Sequence, residues 1–279
     1  MTPVSFDQIN HSKTLFNKLS KILEDIFDQG EAQSIAFLII EKLFGLSRVK
    51  VIANYPVIIN DSNSLELLLK RIGNNEPIQY IMGETEFFDL TFKVNPSVLI
   101  PRPETEELVN LIIRENKKAS QLTLLDIGTG SGCIAISLVK NIPQAKVFAM
   151  DIDKETIKTA QENALLNKVN VFFLHGDILK DGILNDIPTL DLIVSNPPYV
   201  RELEKLEMKE NVLKHEPEKA LFVQNANPLQ FYEKITKIAS EKLRIGGRLY
   251  FEINEAYGLE TKSLLVNNGF KNVEKFHVC

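Results

Sequence analysis

The chain reads as an α/β protein built on a doubly wound parallel sheet, with a small helical domain in front of it and a β-hairpin joining the two. Three observations give that class. From residue 122 onward, short apolar runs alternate with stretches of helical period, the pattern of parallel strands joined by crossover helices. Four successive runs end in a polar or glycine-rich turn, which is where open α/β sheets keep their ligand-binding residues. Before residue 75 the apolar residues recur at helical spacing instead.

In that opening segment Ile9, Phe16, Leu19, Ile22, Leu23, Ile26 and Phe27 fall near one face of a 3.6-residue period, and 36–43 and 65–69 add two apolar runs. Asp28-Gln29-Gly30 and Gly45-Leu46-Ser47 punctuate them. Residues 1–75 are therefore expected to form a helical bundle and 76–98 a hairpin linker, in which 85–95 partly alternates. Pro96, Pro101 and Pro103 end the hairpin and pre-set a helix starting near Glu104. Residues 99–279 carry the sheet.

The first strand, 122–126, runs into Gly128-Thr129-Gly130-Ser131-Gly132, and the helix that follows covers 133–139. Strand 146–150 ends in Asp151-Ile152-Asp153, with Asp153 placed to cap a helix over 154–166. Strand 170–174 leads to Gly176-Asp177-Ile178, and the apolar run 192–194 leads to Asn196-Pro197-Pro198-Tyr199. A helix over 228–243, a stop at Gly246-Gly247, a strand over 248–253, a helix over 258–268 and a last apolar stretch over 273–278 complete the pattern.

Two prolines directly after a strand end its ladder, because proline lacks an N–H and fixes φ. The rigid turn can hold the Asn196 amide and nearby carbonyls at the sheet edge with the Tyr199 ring beside them. That set suits a planar NH2 group: oxygens accept its hydrogens while the ring stacks on its π system. The glycines at 128, 130 and 132 allow a sharp turn and close approach of a ligand. Cys133 stands where a dinucleotide fingerprint needs its third glycine, which disfavours a nicotinamide dehydrogenase. An acid at the tip of the second strand, Asp151, is placed to accept ribose hydroxyls and so points to a nucleoside ligand. Asp177 alone reads equally as a turn residue.

Asp126-x-Gly128-x-Gly130-x-Gly132 resembles the first motif of class I S-adenosylmethionine-dependent methyltransferases. Asn196-Pro197-Pro198-Tyr199 resembles the catalytic motif of the members that methylate planar amino or amide nitrogens. The blocks at 76–83, Glu86-Phe87 and 99–106, with Glu216-Pro217 and Ala220-Leu221, resemble the release factor glutamine methyltransferase family, PrmC/HemK. The resemblance covers about residues 70–260 and implies a Rossmann-like class I methyltransferase domain. It implies S-adenosylmethionine as cofactor, held by Asp126, Gly128, Thr129, Gly130, Ser131, Gly132, Asp151, Asp177, Ile178 and Asn196, with Asp177 and Ile178 on the adenine. Asn196, Pro197, Pro198 and Tyr199 would be catalytic. The implied reaction is methyl transfer to the side-chain N5 of the glutamine in the Gly-Gly-Gln loop of class 1 peptide-chain release factors. The alternatives are a ribosomal protein glutamine or a nucleic-acid base. The chain departs from the family at 222–228, and Glu252-Ile253-Asn254 stands where Glu-x-Gly is usual. Arg102 and Glu104 either shape the substrate mouth or form an ion pair fixing the linker.

A formal net charge of -5 argues against a broad nucleic-acid footprint. Lys117-Lys118 reads as a solvated helix end. Cys133 and Cys279 have no metal spacing and suggest a reducing compartment. His175, His215 and His277 stand at no useful spacing and read as surface or turn residues. No signal peptide and no stretch of eighteen apolar residues is present. A cytoplasmic monomer free of metal and membrane, with the helical domain recognising the release factor, is the resulting expectation.

Overall fold

Side-chain capping explains where two of the first four helices begin. The computed structural model describes residues 6, 9–117, 119 and 121–276, and the chain divides into two compact units, Met1–Met82 and Gly83–Cys279. Unit one holds α1 (Ser12–Leu23), α2 (Gln29–Phe44), α3 (Arg48–Ile52), α4 (Ser62–Gly73) and α5 (Ile78–Met82). Asp28 accepts the Glu31 N–H at 2.9 Å to start α2, and Asp61 accepts the Ser64 N–H at 3.1 Å to start α4. Such caps satisfy donors that a helix leaves open. Asp28-Gln29-Gly30 is thus not a break between helices but a cap and the first turn of α2. Leu15, Leu19, Ile39, Ile40, Leu65 and Leu69 share one apolar core, with Ile26 and Phe27 packed against it beyond the end of α1.

Unit two opens with the hairpin of β1 (Glu84–Phe87) and β2 (Leu90–Lys93). Its two-residue turn, Phe88-Asp89, has φ of 51° and 58°, the double positive φ of a type I′ turn. Neither residue is the Gly or Asn that such turns favour. The Phe88 N–H donates to Glu106 Oε1 at 2.7 Å, which anchors the turn to α6 (Pro103–Asn116). Pro103 stands in the first turn of α6, where its missing N–H costs nothing.

The sheet comprises β3 (Leu122–Ile127), β4 (Ala145–Asp151), β5 (Phe172–His175) and β6 (Leu190–Ser195), with α7 (Cys133–Asn141) and α8 (Lys154–Leu166) as crossovers. Then come β7 (Val200–Arg201), α9 (Glu210–His215), α10 (Glu218–Leu221), β8 (Phe222–Val223), α11 (Gln230–Lys242), β9 (Leu243–Phe251) and α12 (Gly258–Asn267). The central order is β5-β4-β3-β6-β9 with every pairing parallel, while β7 and β8 pair separately. Side chains alternate between two cores, as period two requires. Leu122, Leu124, Val147, Leu192 and Val194 pack on the side of α6 and α7; Leu125, Ile127, Met150 and Ile193 pack on the side of α11. Both faces are covered, so β3 and β6 read as nearly continuous apolar runs.

Four segments differ from the sequence reading, the first being α5 (Ile78–Met82), a helix of unit one within the stretch expected as hairpin linker. Gly246-Gly247 does not stop the chain before the last strand; it lies inside β9, which begins at Leu243 and ends at Phe251. Leu190 pairs with Leu243 and Leu192 with Arg248, so residues 244–247 loop out opposite Asp191 alone. A Cβ at Gly247 would stand 2.9 Å from the Arg244 carbonyl and 3.2 Å from the Asp191 carbonyl, so the glycine serves close approach within a bulge. The third strand is shifted to Phe172–His175. Residues 273–276 have no regular structure, and Lys118, His277, Val278 and Cys279 lie outside the described residues. No described helix is long and apolar enough to cross a membrane.

Candidate active site

Strand order reverses between β3 and β6, whose carboxyl ends lie side by side at the centre of the sheet. The two central motifs leave the sheet there. After β3 the chain turns through Gly128, Gly130 and Gly132 with φ of 74°, 55° and 83°. The Gly128 and Thr129 N–H groups both donate to the Met150 carbonyl at 2.9 Å, and the Gly130 N–H donates to Asp151 Oδ2 at 3.0 Å. The turn is therefore bound to the end of β4. Its far side is held by Asn163 of α8, fully buried, which donates to the Ser131 carbonyl at 2.9 Å. Asn163 also exchanges two bonds with the Lys93 backbone, at 2.7 and 3.0 Å. One amide thus ties hairpin, helix and glycine turn together.

Asp126 is wholly buried; its Oδ2 accepts the Thr129 hydroxyl at 2.7 Å and its Oδ1 has no partner among the described residues. Burial pushes its carboxyl up to about 7, and the nearby Asp151 adds to the rise. Burial likewise raises Asp151, whose second oxygen takes the Asp153 N–H at 3.2 Å. Asp153 caps α8, accepting from Glu155 and Thr156 at 2.9 and 3.1 Å. Asp177 and Ile178 follow β5, adjacent to the end of β4 through the Gly176 N–H on the Asp151 carbonyl at 2.9 Å. Asp177 Oδ1 accepts the Leu179 N–H at 3.0 Å, an Asx turn, and the Ile178 side chain is buried in the core.

The tetrapeptide begins directly after β6. Ser195 ties it to β3 by donating its hydroxyl to the Ile127 carbonyl at 2.7 Å. A Cβ at Gly128 would stand 4.0 Å from the Asn196 carbonyl oxygen, so the glycine turn and the tetrapeptide adjoin. Asn196 Nδ2 donates to Thr105 Oγ1 at 3.3 Å, and the Tyr199 hydroxyl donates to Glu252 Oε1 at 3.1 Å. A small cavity of about 40 Å³ opens beside Asn196 and Tyr199, walled by Leu99, Val200, Ala220 and Leu221 with Arg102 at its edge.

Arg102 pairs with Glu216 at 2.6 Å, and the Glu216 side chain is only 1% exposed. Glu216 also takes the Ile100 N–H at 3.3 Å, so it fixes the strand of chain that enters α6 as well as the cavity rim. The ion pair that Arg102 makes is with Glu216 and not, as the sequence reading had it, with Glu104, which is exposed. His175, exposed at the end of β5, bonds the Ile152 carbonyl at 3.0 Å, and His215 ends α9. Burial pushes the Cys133 thiol up to about 12, so it stays protonated and poorly nucleophilic.

Sequence reasoning gave no role to Thr105 or Asn163, and named Glu252 only where the chain departs from the family pattern. Glu252 follows β9: beside Tyr199 it accepts the Thr105 hydroxyl on Oε2 at 2.7 Å, and its carbonyl takes the Tyr232 hydroxyl at 3.2 Å. It too is an acid at a strand's carboxyl end, the signal that singles out Asp151. Along the edge, in spatial order, stand Asp177, Asp151, the glycine turn, Asn196 and Glu252.

Residues 105–224 match the methyltransferase small domain family, and residues 14–83 match the PrmC N-terminal domain. The release factor glutamine methyltransferase of Flavobacterium psychrophilum is 50% identical over 255 residues, covering 90% of this chain and 89% of that protein. The protein of the same name from Bacteroides thetaiotaomicron is 46% identical over 254 residues, 90% of each chain. That of Thermodesulfovibrio yellowstonii is 33% identical over 267 residues, 92% of each. Taken with a sheet edge that aligns a glycine turn and Asn-Pro-Pro-Tyr, these matches show that the chain belongs to the release factor glutamine methyltransferase family.

Proposed function

We propose that this protein transfers a methyl group from S-adenosylmethionine to the side-chain N5 of the glutamine in the Gly-Gly-Gln loop of class 1 peptide-chain release factors. The observation that carries the reading is the placement of Asn196-Pro197-Pro198-Tyr199 at the switch point, beside a glycine turn and a small apolar-walled cavity. An amide nitrogen is a poor nucleophile because its lone pair is delocalised into the carbonyl. Asn196 Oδ1 and the Pro197 carbonyl would accept its two hydrogens, localise that pair and aim it, with Tyr199 against the flat face. The amide becomes acidic once methylated, so its proton leaves to water and no strong base is required. The small cavity beside Asn196 and Tyr199 is where the glutamine side chain would enter.

The cofactor supplies its methyl as an electrophile on a sulfonium. Gly128, Thr129, Gly130 and Ser131 would hold its methionine part, with Gly132 packing the turn against α7 and α8, Asp151 would hold its ribose, and Asp177 with Ile178 its adenine. The turn has unused capacity for such a ligand: Ser131 Oγ is buried without a partner among the described residues, and a Cβ at Gly130 would meet nothing within 4 Å. Asp126, closed off by the turn, would support it from beneath through the Thr129 hydroxyl. The PrmC-like helical unit would recognise the body of the release factor, in the cytoplasm, with the enzyme acting as a monomer.

The test is mass spectrometry of whole release factor after incubation with the protein and S-adenosylmethionine, fragmenting the Gly-Gly-Gln peptide. A methyl on that glutamine side chain, absent with Asn196→Ala, is the expected result. No transfer, despite measurable cofactor binding, would move the substrate elsewhere.

A further inference from the structure

We infer that Glu252 is a positioning residue that sets which way the Asn196 side-chain amide faces, both directly and through the Thr105 hydroxyl. The inference rests on the reading above, in which Asn196 meets the substrate amide. Asn196 has two unlike ends, an oxygen that only accepts and an NH2 that only donates. A substrate NH2 needs the oxygen. Presenting the other end would set donor against donor, so the amide's orientation decides whether the site works.

Proton counting along the chain of contacts fixes that orientation. Ionised Glu252 can only accept. Thr105 has a single hydroxyl proton, and it goes to Glu252 Oε2 at 2.7 Å. Thr105 Oγ1 is then left with lone pairs facing Asn196, so Asn196 must present Nδ2, as it does at 3.3 Å. Oδ1 is thereby turned away from Thr105. The same carboxylate holds Tyr199 through its hydroxyl at 3.1 Å, so one acid orients both the acceptor and the ring of the tetrapeptide. The acid is itself held by backbone bonds, its N–H on the Ser195 carbonyl at 3.0 Å and its carbonyl on the Tyr232 hydroxyl at 3.2 Å.

An acid that can take a proton makes this polarity reversible. Protonated Glu252 can donate to Thr105, Thr105 can then donate to Asn196 Oδ1, and the amide is free to turn over. Burial raises the Glu252 carboxyl above its ordinary range, opposed by the bonds from Thr105, Tyr199 and Asn196. The groups around it are Glu104 and Thr105 of α6, Cys133 of α7, Tyr199 and Tyr232 of α11. Glu104 adds to the rise, and Arg102, which also acts on Tyr199, is occupied by Glu216.

The test uses the full-length protein with Glu252→Gln, Thr105→Val and Thr105→Ser. Glutamine keeps the size of glutamate but can donate, so Glu252→Gln should lower kcat on whole release factor about 100-fold, the scale of one misdirected dipole. Cofactor Kd should stay within about twofold, and the acid limb of the kcat profile should disappear. Thr105→Val, which leaves the direct contact of Asn196 with Glu252, should lower kcat by less, about tenfold, and Thr105→Ser should restore it. The second readout needs no turnover: with ¹⁵N-labelled asparagine, the Asn196 NH2 pair, assigned by its loss in Asn196→Ala, should shift with pH in the wild type and not in Glu252→Gln. An Asn196 signal that titrates identically in both, or a Glu252→Gln enzyme with unchanged kcat and acid limb, would overturn the inference. If the wild type methylates no release factor, the functional reading falls, and the NMR titration still decides the role of Glu252.

Discussion

Gly130→Ala and Gly132→Ala should fail in opposite ways. Both glycines have positive φ, 55° and 83°, where an alanine costs about 1–2 kcal/mol. At 130 that is the whole stability cost, because a Cβ there meets no atom within 4 Å. At 132 the Cβ would stand 2.9 Å from Ile136 Cδ1 and 3.3 Å from Ala160 Cβ, where α7 and α8 pack. The Ile136 end can rotate only within a closed core, and Ala160 belongs to a helix. Overpacking of this kind adds about 1–3 kcal/mol, for a total of roughly 2–5 at Gly132 against 1–2 at Gly130. Binding should rank the other way. The space over Gly130 is the cradle assigned to the cofactor, and a methyl in it should weaken S-adenosylhomocysteine at least tenfold, about 1.4 kcal/mol. Folded Gly132→Ala should bind within about threefold of wild type. Urea unfolding gives the first ranking and calorimetric titration the second. Equal destabilisation by the two substitutions, or undiminished binding by Gly130→Ala, would refute the assignment of one glycine to packing and the other to the ligand.

Three further outcomes can be checked on the same material. Asp153→Ala should cost about 1 kcal/mol through loss of the α8 cap, read as a lower urea midpoint, with cofactor affinity unchanged. Arg102→Met leaves the Glu216 carboxylate buried with one weak N–H partner and should cost about 3 kcal/mol, most of which Glu216→Gln in the same chain should recover. Asp126 keeps its proton to about 7 when folded and releases it near the ordinary 3.8 when unfolded. Between those values the folded state binds more protons, so stability falls as pH rises, by up to about 1.4 kcal/mol per unit. Asp126→Asn should flatten that fall between pH 4 and 7 by up to one proton; an unchanged slope of urea stability against pH would show that the carboxyl does not titrate there.

The sheet was legible because its signals are local. Each of β3, β4 and β6 is a short apolar run, and α8 starts at a residue whose chemistry marks a start, Asp153. The hairpin was visible from alternation and from Pro96 and Pro101, yet its turn was not, because Phe88-Asp89 takes positive φ without glycine or asparagine. Tertiary anchoring by Glu106 replaces intrinsic preference there. The start of β9 was misjudged for a related reason. A glycine pair usually ends an element, but here it lets a bulge pass close to Asp191, and only the partner strand reveals that.

For the site, the residues that follow strands were found and those that hold them in place were not. Asn196 and Asp151 announce themselves by position, since a polar residue at the carboxyl end of a parallel strand lies at the ligand edge whatever else happens. Thr105 is only the third residue of a helix, and Asn163 looks like any polar residue on a helix face. Their importance arises where separate segments meet: Thr105 and Glu252 bond across 147 positions, and Asn163 reaches Lys93 across 70. Glu252 was within reach, because the rule that selects Asp151 applies equally to the acid after β9. Applied to every strand, that rule would have set Glu252 beside Asn196 and raised the question its carboxylate answers, which is what keeps an asparagine amide from turning over. A side chain with two nearly isosteric ends carries no steric preference between them, so its orientation must come from a neighbour that can only accept or only donate, and a buried carboxylate is such a neighbour.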